Sequence, residues 1–305
     1  MIVIGHKNPD TDSVISSLIF SRFLEKTGKE AQCFLLGEAN KETKFIFSFF
    51  GEDLPPVIDR DISDQEVFLV DHNDLSQSIA KAENIVGILD HHLISGIKIN
   101  KPIFFRIEPI GSTASLVYKL FKENQVELNK KEASLLLSAI ISDTLNLKSP
   151  TTTEEDRAIF QELKEKTMIE TDDLADKMFL EKSDFSDKNT KEVVLGDLKE
   201  FDFNSNKIAI AVAETTNLDY FYKKEKEIVE IINNVKTEKA YDYLFFGAVD
   251  IINQNTLFFP ASEKERGIIR KMFKGEEREN FFFLKNVVSR KKDMAPVLYE
   301  YFENI

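Results

Sequence analysis

Three short apolar runs in the first third of the chain each end on histidine or aspartate. Ile2-Val3-Ile4-Gly5 leads into His6, Val67 to Val70 into Asp71-His72, and Ile85 to Leu89 into Asp90-His91-His92. Runs of this length and β-propensity read as buried strands, as do Ala31 to Leu36 and Ile103 to Ile107. Between and after them the pattern is helical. Residues 12–27 carry the stripe Val14, Ile15, Leu18, Ile19 and Leu24, with Asp12 or Ser13 as cap and Gly28 as stop. Lys41 to Phe50 closes on Gly51; Ser112 to Glu123 and Lys131 to Ser142 follow, and a Thr152/Glu155 capping box opens a third helix. Strands alternating with helices argue for a parallel α/β sheet. Ligands bind outside the carboxyl ends of the strands in such a sheet. The clusters His6/Asp10/Asp12, Asp71 and Asp90/His91/His92 are therefore expected to meet on one edge.

A chain of 305 residues suggests two domains at about 150 residues each. The polar, aperiodic stretch Ser183 to Thr190 reads as a linker. Beyond it, Ile208 to Ala213, Tyr241 to Val249 and Thr256 to Phe259 read as strands, and Leu218 to Val235 and Glu263 to Phe273 as helices. The expected division is a first α/β domain over 1–182, a linker over 183–191 and a smaller α/β domain over 192–305. Apolar runs such as Ala133 to Ile141 fall far short of the roughly 18 residues a membrane span needs, so no membrane partner is expected. The net charge of −13 repels polyanions and disfavours nucleic acid. The single Cys33 excludes a disulfide framework and a Cys-rich zinc site. With no basic, apolar leader after Met1, it fits a cytoplasmic location.

All four histidines lie beside or near aspartates. The hard ligands on the expected edge are His6, Asp10, Asp12, Asp71, Asp90, His91 and His92, joined by Asp143 after the apolar run Leu135 to Ile141. Carboxylates crowded this closely raise one another's pKa and cannot all stay ionised without cations. Carboxylate and imidazole without thiolate suit Mn²⁺, Mg²⁺ or Co²⁺. Two such ions about 3.5–4 Å apart would clamp both oxygens of an in-line phosphoryl displacement and acidify a bridging water. In the second domain, Ser289-Arg290-Lys291-Lys292 follows the apolar segment Phe281 to Val288 and offers a guanidinium and an ammonium to phosphate oxygens. Lys199 is a further candidate.

These motifs resemble a known set. Gly5-His6-Lys7-Asn8-Pro9-Asp10-Thr11-Asp12-Ser13, Val70-Asp71-His72-Asn73, Asp90-His91-His92, Glu108 to Ala114, Ser138 to Thr144, Lys148 to Thr151 and Ser289 to Lys292 occur in the order found in family II inorganic pyrophosphatases. That family belongs to the Asp-His-His phosphoesterase superfamily, and the resemblance runs from residue 2 to about residue 298. It implies a manganese- or cobalt-activated hydrolase that splits pyrophosphate into two phosphates with a metal-bridging water or hydroxide as nucleophile. One metal would be held by His6, Asp10 and Asp71, and the other by Asp12, Asp71, His91 and Asp143, with Mg²⁺ entering with the substrate. His92 would be the catalytic contact to substrate, and Lys199, Arg290 and Lys291 would grip phosphate oxygens. The linker would let the second domain close over the metals. The family forms homodimers through its metal-bearing domain.

The chain departs from the family pattern at two places. Asp293 stands where Gln often follows Ser-Arg-Lys-Lys, and an acid there is expected to lower the local positive potential. Ser112 stands where Cys is common. No regulatory insertion follows Asp143. Among residues outside the implied ligand set, Asp90 is expected to orient a neighbour and His72 to support its strand end. Ser112 and Thr113 either offer helix amides to an anion or simply cap. A short-chain exopolyphosphatase shares most of the metal site and is the alternative, with an oligonucleotide phosphodiesterase of the same superfamily behind it. The phosphodiesterases resemble the chain in the first domain but carry a Gly-rich motif with His in the second, whereas no His follows His92 here. A non-catalytic binding protein would be signalled by a lost bridging ligand, and none is lost.

Overall fold

The computed structural model describes residues 1–303 apart from Ser63, Ser95 and Gly96, and for Lys291 the backbone only. The chain divides into two compact units, Met1–Glu181 and Lys182–Ile305.

The first unit runs β1 (Ile2–Ile4), α1 (Thr11–Lys26), β2 (Gln32–Phe34), α2 (Lys41–Phe49), β3 (Val67–Val70), β4 (Ile85–Asp90), β5 (Phe104–Ile107), α3 (Thr113–Glu123), α4 (Lys130–Thr144), α5 (Glu154–Thr167) and α6 (Thr171–Lys182). Its five strands lie in the order β2-β1-β3-β4-β5, all parallel. The chain leaves β1 toward β2 on one side and later returns to β3 on the other. The carboxyl ends of β1 and β3 therefore flank a topological switch point, where open α/β sheets bind ligands. Strands buried on both faces explain the continuous apolar runs. One face packs on α1, where Phe20 meets Phe68 at 4.5 Å between ring centroids. The other packs Ile2, Ile4, Val67, Leu69, Ile85 and Ile88 under Ile62 and partly buried residues such as Ile58 and Ile103. Gly87 is required on β4: a Cβ there would lie 2.1 Å from the Phe68 ring.

Two expected caps move. Asp10, not Asp12 or Ser13, caps α1 by accepting from Ser13 N. The capping box of α5 is Thr153/Asp156, one residue beyond Thr152/Glu155.

The second unit runs α7 (Thr190–Leu195), β6 (Leu198–Phe203), β7 (Asn206–Thr215), α8 (Asp219–Lys223), α9 (Glu225–Glu238), β8 (Tyr243–Asp250), β9 (Asn255–Pro260), α10 (Glu263–Met272), β10 (Gly275–Glu277), β11 (Phe282–Lys285), a π-helical turn Arg290–Met294 and α11 (Ala295–Glu303). The expected single helix Leu218 to Val235 is two, broken at Lys224, and β11 stops short of Val288. The sheet order is β10-β11-β9-β8-β7-β6, with β7 and β8 parallel and the other pairs antiparallel. Alternation along β7 divides two cores: Ala209, Ala211 and Ala213 face α9, while Ile208, Ile210 and Val212 face α10 and α11. Residues 183–189 form no helix or strand, and Phe185 packs against the first of these cores. No helix among the described residues is long and apolar enough to cross a membrane.

Candidate metal centre

Asp71 stands at the centre. It follows β3 with φ at 63°, a left-handed conformation that Asp tolerates better than most residues. Its backbone N–H still donates to Leu89 O at 2.9 Å, so the turn begins only after the sheet pairing is complete. The side chain is 1% exposed, and each oxygen faces a different imidazole: His6 Nε2 lies 3.5 Å from Oδ2, and His91 Nε2 lies 3.5 Å from Oδ1. Thr113 Oγ1 donates to Oδ1 at 2.8 Å.

The other ligand candidates close around these two imidazoles. His6 Nε2 is 3.6 Å from Asp10 Oδ2, while Asp10 Oδ1 accepts from Ser13 N in the α1 cap. His91 Nε2 is 3.5 Å from Asp143 Oδ2 on the last turn of α4. His91 Nδ1 donates to Ile110 O at 2.9 Å, so in the neutral ring Nε2 is the nitrogen that offers its lone pair toward the carboxylates. Asp12 is fully enclosed at the start of α3. It accepts from Thr113 N at 2.6 Å, Ala114 N at 3.0 Å, Ser112 Oγ at 2.9 Å and Ser16 Oγ at 2.8 Å. The anion held by the α3 amides is thus the protein's own Asp12, and Ser112 caps the helix while donating to it. Among the described residues three sets bring one ligand atom each within 4.8 Å: His6, Asp10 and Asp71; Asp12, His91 and Asp143; and Asp71, His91 and His92.

The donor set fits divalent cations. Two ligands about 2.1–2.2 Å from one ion, at roughly tetrahedral to octahedral angles, lie about 3.0–3.6 Å apart. The imidazole–carboxylate separations of 3.5–3.6 Å fall at that spacing and are long for hydrogen bonds. In the metal-free chain protons compensate the charge instead. Burial alone would lower His6, but the close Asp10 and Asp71 carboxylates outweigh it and hold His6 at about 10. Burial first, and the Asp71 charge second, push Asp12 well above the usual carboxylate range.

His92 is bound differently. Its side chain is 55% exposed, and Nδ1 donates to Asp90 Oδ1 at 2.8 Å. That hydrogen bond is the chief cause of its rise to about 9. Asp90 is buried and also accepts from His91 N, His92 N and Asn73 Nδ2. Burial would raise Asp90, but these donors and the His92 charge hold it at about 2. With its oxygens committed to these donors, Asp90 orients the turn that carries both histidines. His72 donates from Nδ1 to Val70 O at 3.0 Å and lies in none of the three sets. His6, Asp71, His72, Asn73 and His92 line a cavity of about 410 Å³.

In the second unit, Lys199 on β6 and Arg290 on the π-helical turn line a separate cavity of about 600 Å³. The Arg290 guanidinium is engaged by Asp197, with Nη2 at 2.8 Å from both carboxylate oxygens. The Lys291 side chain lies outside the described residues.

The chain aligns with known proteins over nearly its whole length. Residues 1–140 match the DHH family N-terminal domain, and residues 176–301 match the DHHA2 domain. A probable manganese-dependent inorganic pyrophosphatase of Oceanobacillus iheyensis is 37% identical over 304 residues, which cover 99% of each chain. The manganese-dependent inorganic pyrophosphatase of Bacillus subtilis is 35% identical over 301 residues, 98% of this chain and 97% of that one. A crystal structure from Methanococcus jannaschii, assigned to the family II inorganic pyrophosphatases, superposes with a TM-score of 0.72 at 32% identity, covering 99% of this chain and 100% of that one. The chain belongs to the family II, manganese-dependent inorganic pyrophosphatases.

Within that family, the Asp293 departure has a structural part to play. Its Oδ2 accepts from Val288 N at 3.0 Å and Ser289 N at 2.8 Å, pinning the turn that presents Arg290. Its charge is taken up by these two amides, a use that the expectation of a lowered potential did not include. Sequence reasoning also passed over Thr113 as the hydroxyl on Asp71, and Asn73 as the amide on Asp90. Both lie inside quoted motifs, which was the only signal available for them.

Proposed function

We propose that the chain hydrolyses inorganic pyrophosphate to two phosphates at two Mn²⁺ ions shared through Asp71. The observation that carries this reading is Asp71 itself, with one oxygen 3.5 Å from His6 Nε2 and the other 3.5 Å from His91 Nε2. His6, Asp10 and Asp71 would hold one ion, and Asp12, Asp71, His91 and Asp143 the other. Mn²⁺ or Co²⁺ fits this set, with Mg²⁺ arriving on the substrate. Bound ions would supply Lewis-acid charge stabilisation and lower the pKa of coordinated water. The chain's own groups do the rest. Asp90 fixes the His92 ring through Nδ1, so His92 Nε2 can hold a proton for the leaving phosphate. Lys199, Arg290 and Lys291 bind phosphate oxygens, so the two units contribute different chemistry. The names of the similar enzymes support pyrophosphate as the substrate.

A homodimer through the first unit is part of the same reading. β5 is the edge of the parallel sheet, and Phe104 and Phe105 on it are nearly half exposed. Aromatic residues on an unpaired edge suit burial against a second copy.

The test is phosphate release from pyrophosphate, tripolyphosphate and a dinucleotide by metal-stripped protein reloaded with Mn²⁺, Co²⁺, Mg²⁺ or Zn²⁺. Rapid pyrophosphate cleavage with Mn²⁺ or Co²⁺ is expected. Silence on pyrophosphate with tripolyphosphate turnover would overturn the substrate and keep the metal site.

A further inference from the structure

The cavity that holds Lys199 and Arg290 also holds two carboxylates, Asp197 and Glu214. Its formal charge is therefore balanced among these four side chains. Asp197 sits in the turn between α7 and β6. Both of its oxygens lie 2.8 Å from Arg290 Nη2. Arg290 Nη1 donates to Asp197 O at 2.5 Å and to Ile210 O at 3.3 Å. A guanidinium grips phosphate through two parallel N–H groups. Here both terminal nitrogens already have acceptors, which leaves Nε–H without a parallel neighbour for a second anion.

We propose that Asp197 is a latch on Arg290, an internal carboxylate occupying the fork that phosphate oxygens need, so that a phosphoryl ligand binds by exchanging with it. The proposal rests on the reading of Arg290 as a phosphate-binding residue. The two partners differ in a way that suits exchange. The Arg290 side chain is only 11% exposed, whereas Asp197 is 56% exposed. The guanidinium is held in place by β7 and by the Asp197 carbonyl, and the carboxylate can swing into water at little desolvation cost. Lys199 makes no ion pair among the described residues and is ready to meet the incoming anion. The latch raises the KM for substrate and weakens retention of product phosphate by the same exchange.

The decisive variant is Asp197→Asn in the full chain. It keeps the side-chain shape and one acceptor oxygen while removing the charge, and Asp197→Ala repeats the test without an acceptor. In the Mn²⁺-loaded protein, KM for pyrophosphate and the inhibition constant of inorganic phosphate are both expected to fall about three- to fivefold, the scale of a partly exposed ion pair. Glu214→Gln removes a charge from the same cavity without touching Arg290. It should change both constants less than about twofold. In an Arg290→Lys background the effect of Asp197→Asn should vanish. A rise in KM for both Asp197 variants would overturn the latch, because Asp197 would then be holding Arg290 in its working position. Equal effects from Glu214→Gln would also overturn it, in favour of a general field. Binding of inorganic phosphate to the metal-free chain, measured by calorimetry, separates the two readings. If the wild type leaves pyrophosphate intact while Asp197→Asn still tightens phosphate, the latch stands and the substrate reading falls. If pyrophosphate is cleaved and Asp197→Asn changes nothing, only the latch falls.

Discussion

Substituting Asp71 separates its backbone role from its charge, because the two make opposite rankings of the same variants. At φ of 63°, Asn and Gly are tolerated, while Ala costs about 1–2 kcal/mol. The Thr113 hydroxyl that donates to Asp71 is fully buried, and leaving it without an acceptor costs about 1–3 kcal/mol. In the metal-free protein, Asp71→Asn keeps both the conformation and the hydrogen bond and loses only the Asp71 share of the charge that holds protons on His6 and His92, a loss common to all three variants. Asp71→Ala should lie about 2–5 kcal/mol below Asp71→Asn, the sum of the two penalties, and Asp71→Gly should fall between. Metal binding ranks them differently. Removing a group that only orients a ligand costs about 10–100-fold in affinity, so loss of a ligand common to two ions should cost more than about 100-fold at each. Urea unfolding of the stripped variants gives the first ranking, and Mn²⁺ titration followed by electron paramagnetic resonance gives the second. The reasoning is refuted if Asp71→Asn retains two ions at wild-type affinity. Loss of one ion alone would show that Asp71 serves a single site.

The remaining predictions concern protons and phosphate. His6 at about 10 and His92 at about 9 lie above the ordinary value of 6.5. The folded, metal-free chain therefore gains stability from them that is complete below pH 6.5 and is lost as the pH rises through 9 and 10. A protonated His6 cannot ligate, so Mn²⁺ affinity should rise about tenfold per pH unit below the His6 pKa for each proton displaced. Calorimetry at about pH 7.5, in buffers of different ionisation enthalpy, should show roughly one proton released per His6 engaged; binding without release would contradict the assignment. Asp293→Ala unpins Val288 and Ser289 and should raise KM for pyrophosphate about fivefold with metal content unchanged, if two neutral-to-charged hydrogen bonds are worth about 1 kcal/mol in placing the turn. Lys199→Ala should likewise raise KM and spare the metals. Metal loss with an unchanged KM would mean that its role is misassigned.

The metal edge was legible because it needs only local information. An apolar run that stops on His or Asp identifies both the strand and the place where its last side chain must emerge. β1, β3 and β4 all obey this, and parallel pairing then puts His6, Asp71 and Asp90 on one edge. The failures share a different cause. Asp10 and Asp12 are equivalent as local caps for α1. The choice is made by Ser112, 100 residues away, which draws Asp12 into the start of α3. The α5 box could sit in either of two registers. Gly111 N and Ser115 Oγ, 45 and 41 residues away, bind Asp156 and fix it. The Asp197 carboxylate that pairs with Arg290, 93 residues away, likewise carries no local mark of that contact. Each miss is a polar group whose partner was chosen by the tertiary fold rather than by its neighbours in sequence.

The same distinction explains why this edge calls for metal. The aspartates there differ in how far the chain itself compensates their charge. Asp90 is met by Asn73, two amides and His92 and is held at about 2, whereas Asp12, though met by the amides of α3 and two hydroxyls, is still pushed well above the usual carboxylate range by burial and the Asp71 charge. Among the described residues the Thr113 hydroxyl is the one side-chain donor hydrogen-bonded to Asp71, and the imidazoles of His6, His91 and His92 stand 3.5 Å or more from its oxygens. In the metal-free chain the protons on His6 and His92 supply the positive charge that such a carboxylate lacks. A proton on His6 Nε2 answers only one side of Asp71, and the bare Nε2 of His91 faces the other without one when that ring is neutral. Divalent ions on both sides would answer both oxygens at once and return His6 to its neutral form. The geometry therefore favours exchanging protons for metal on both faces of Asp71.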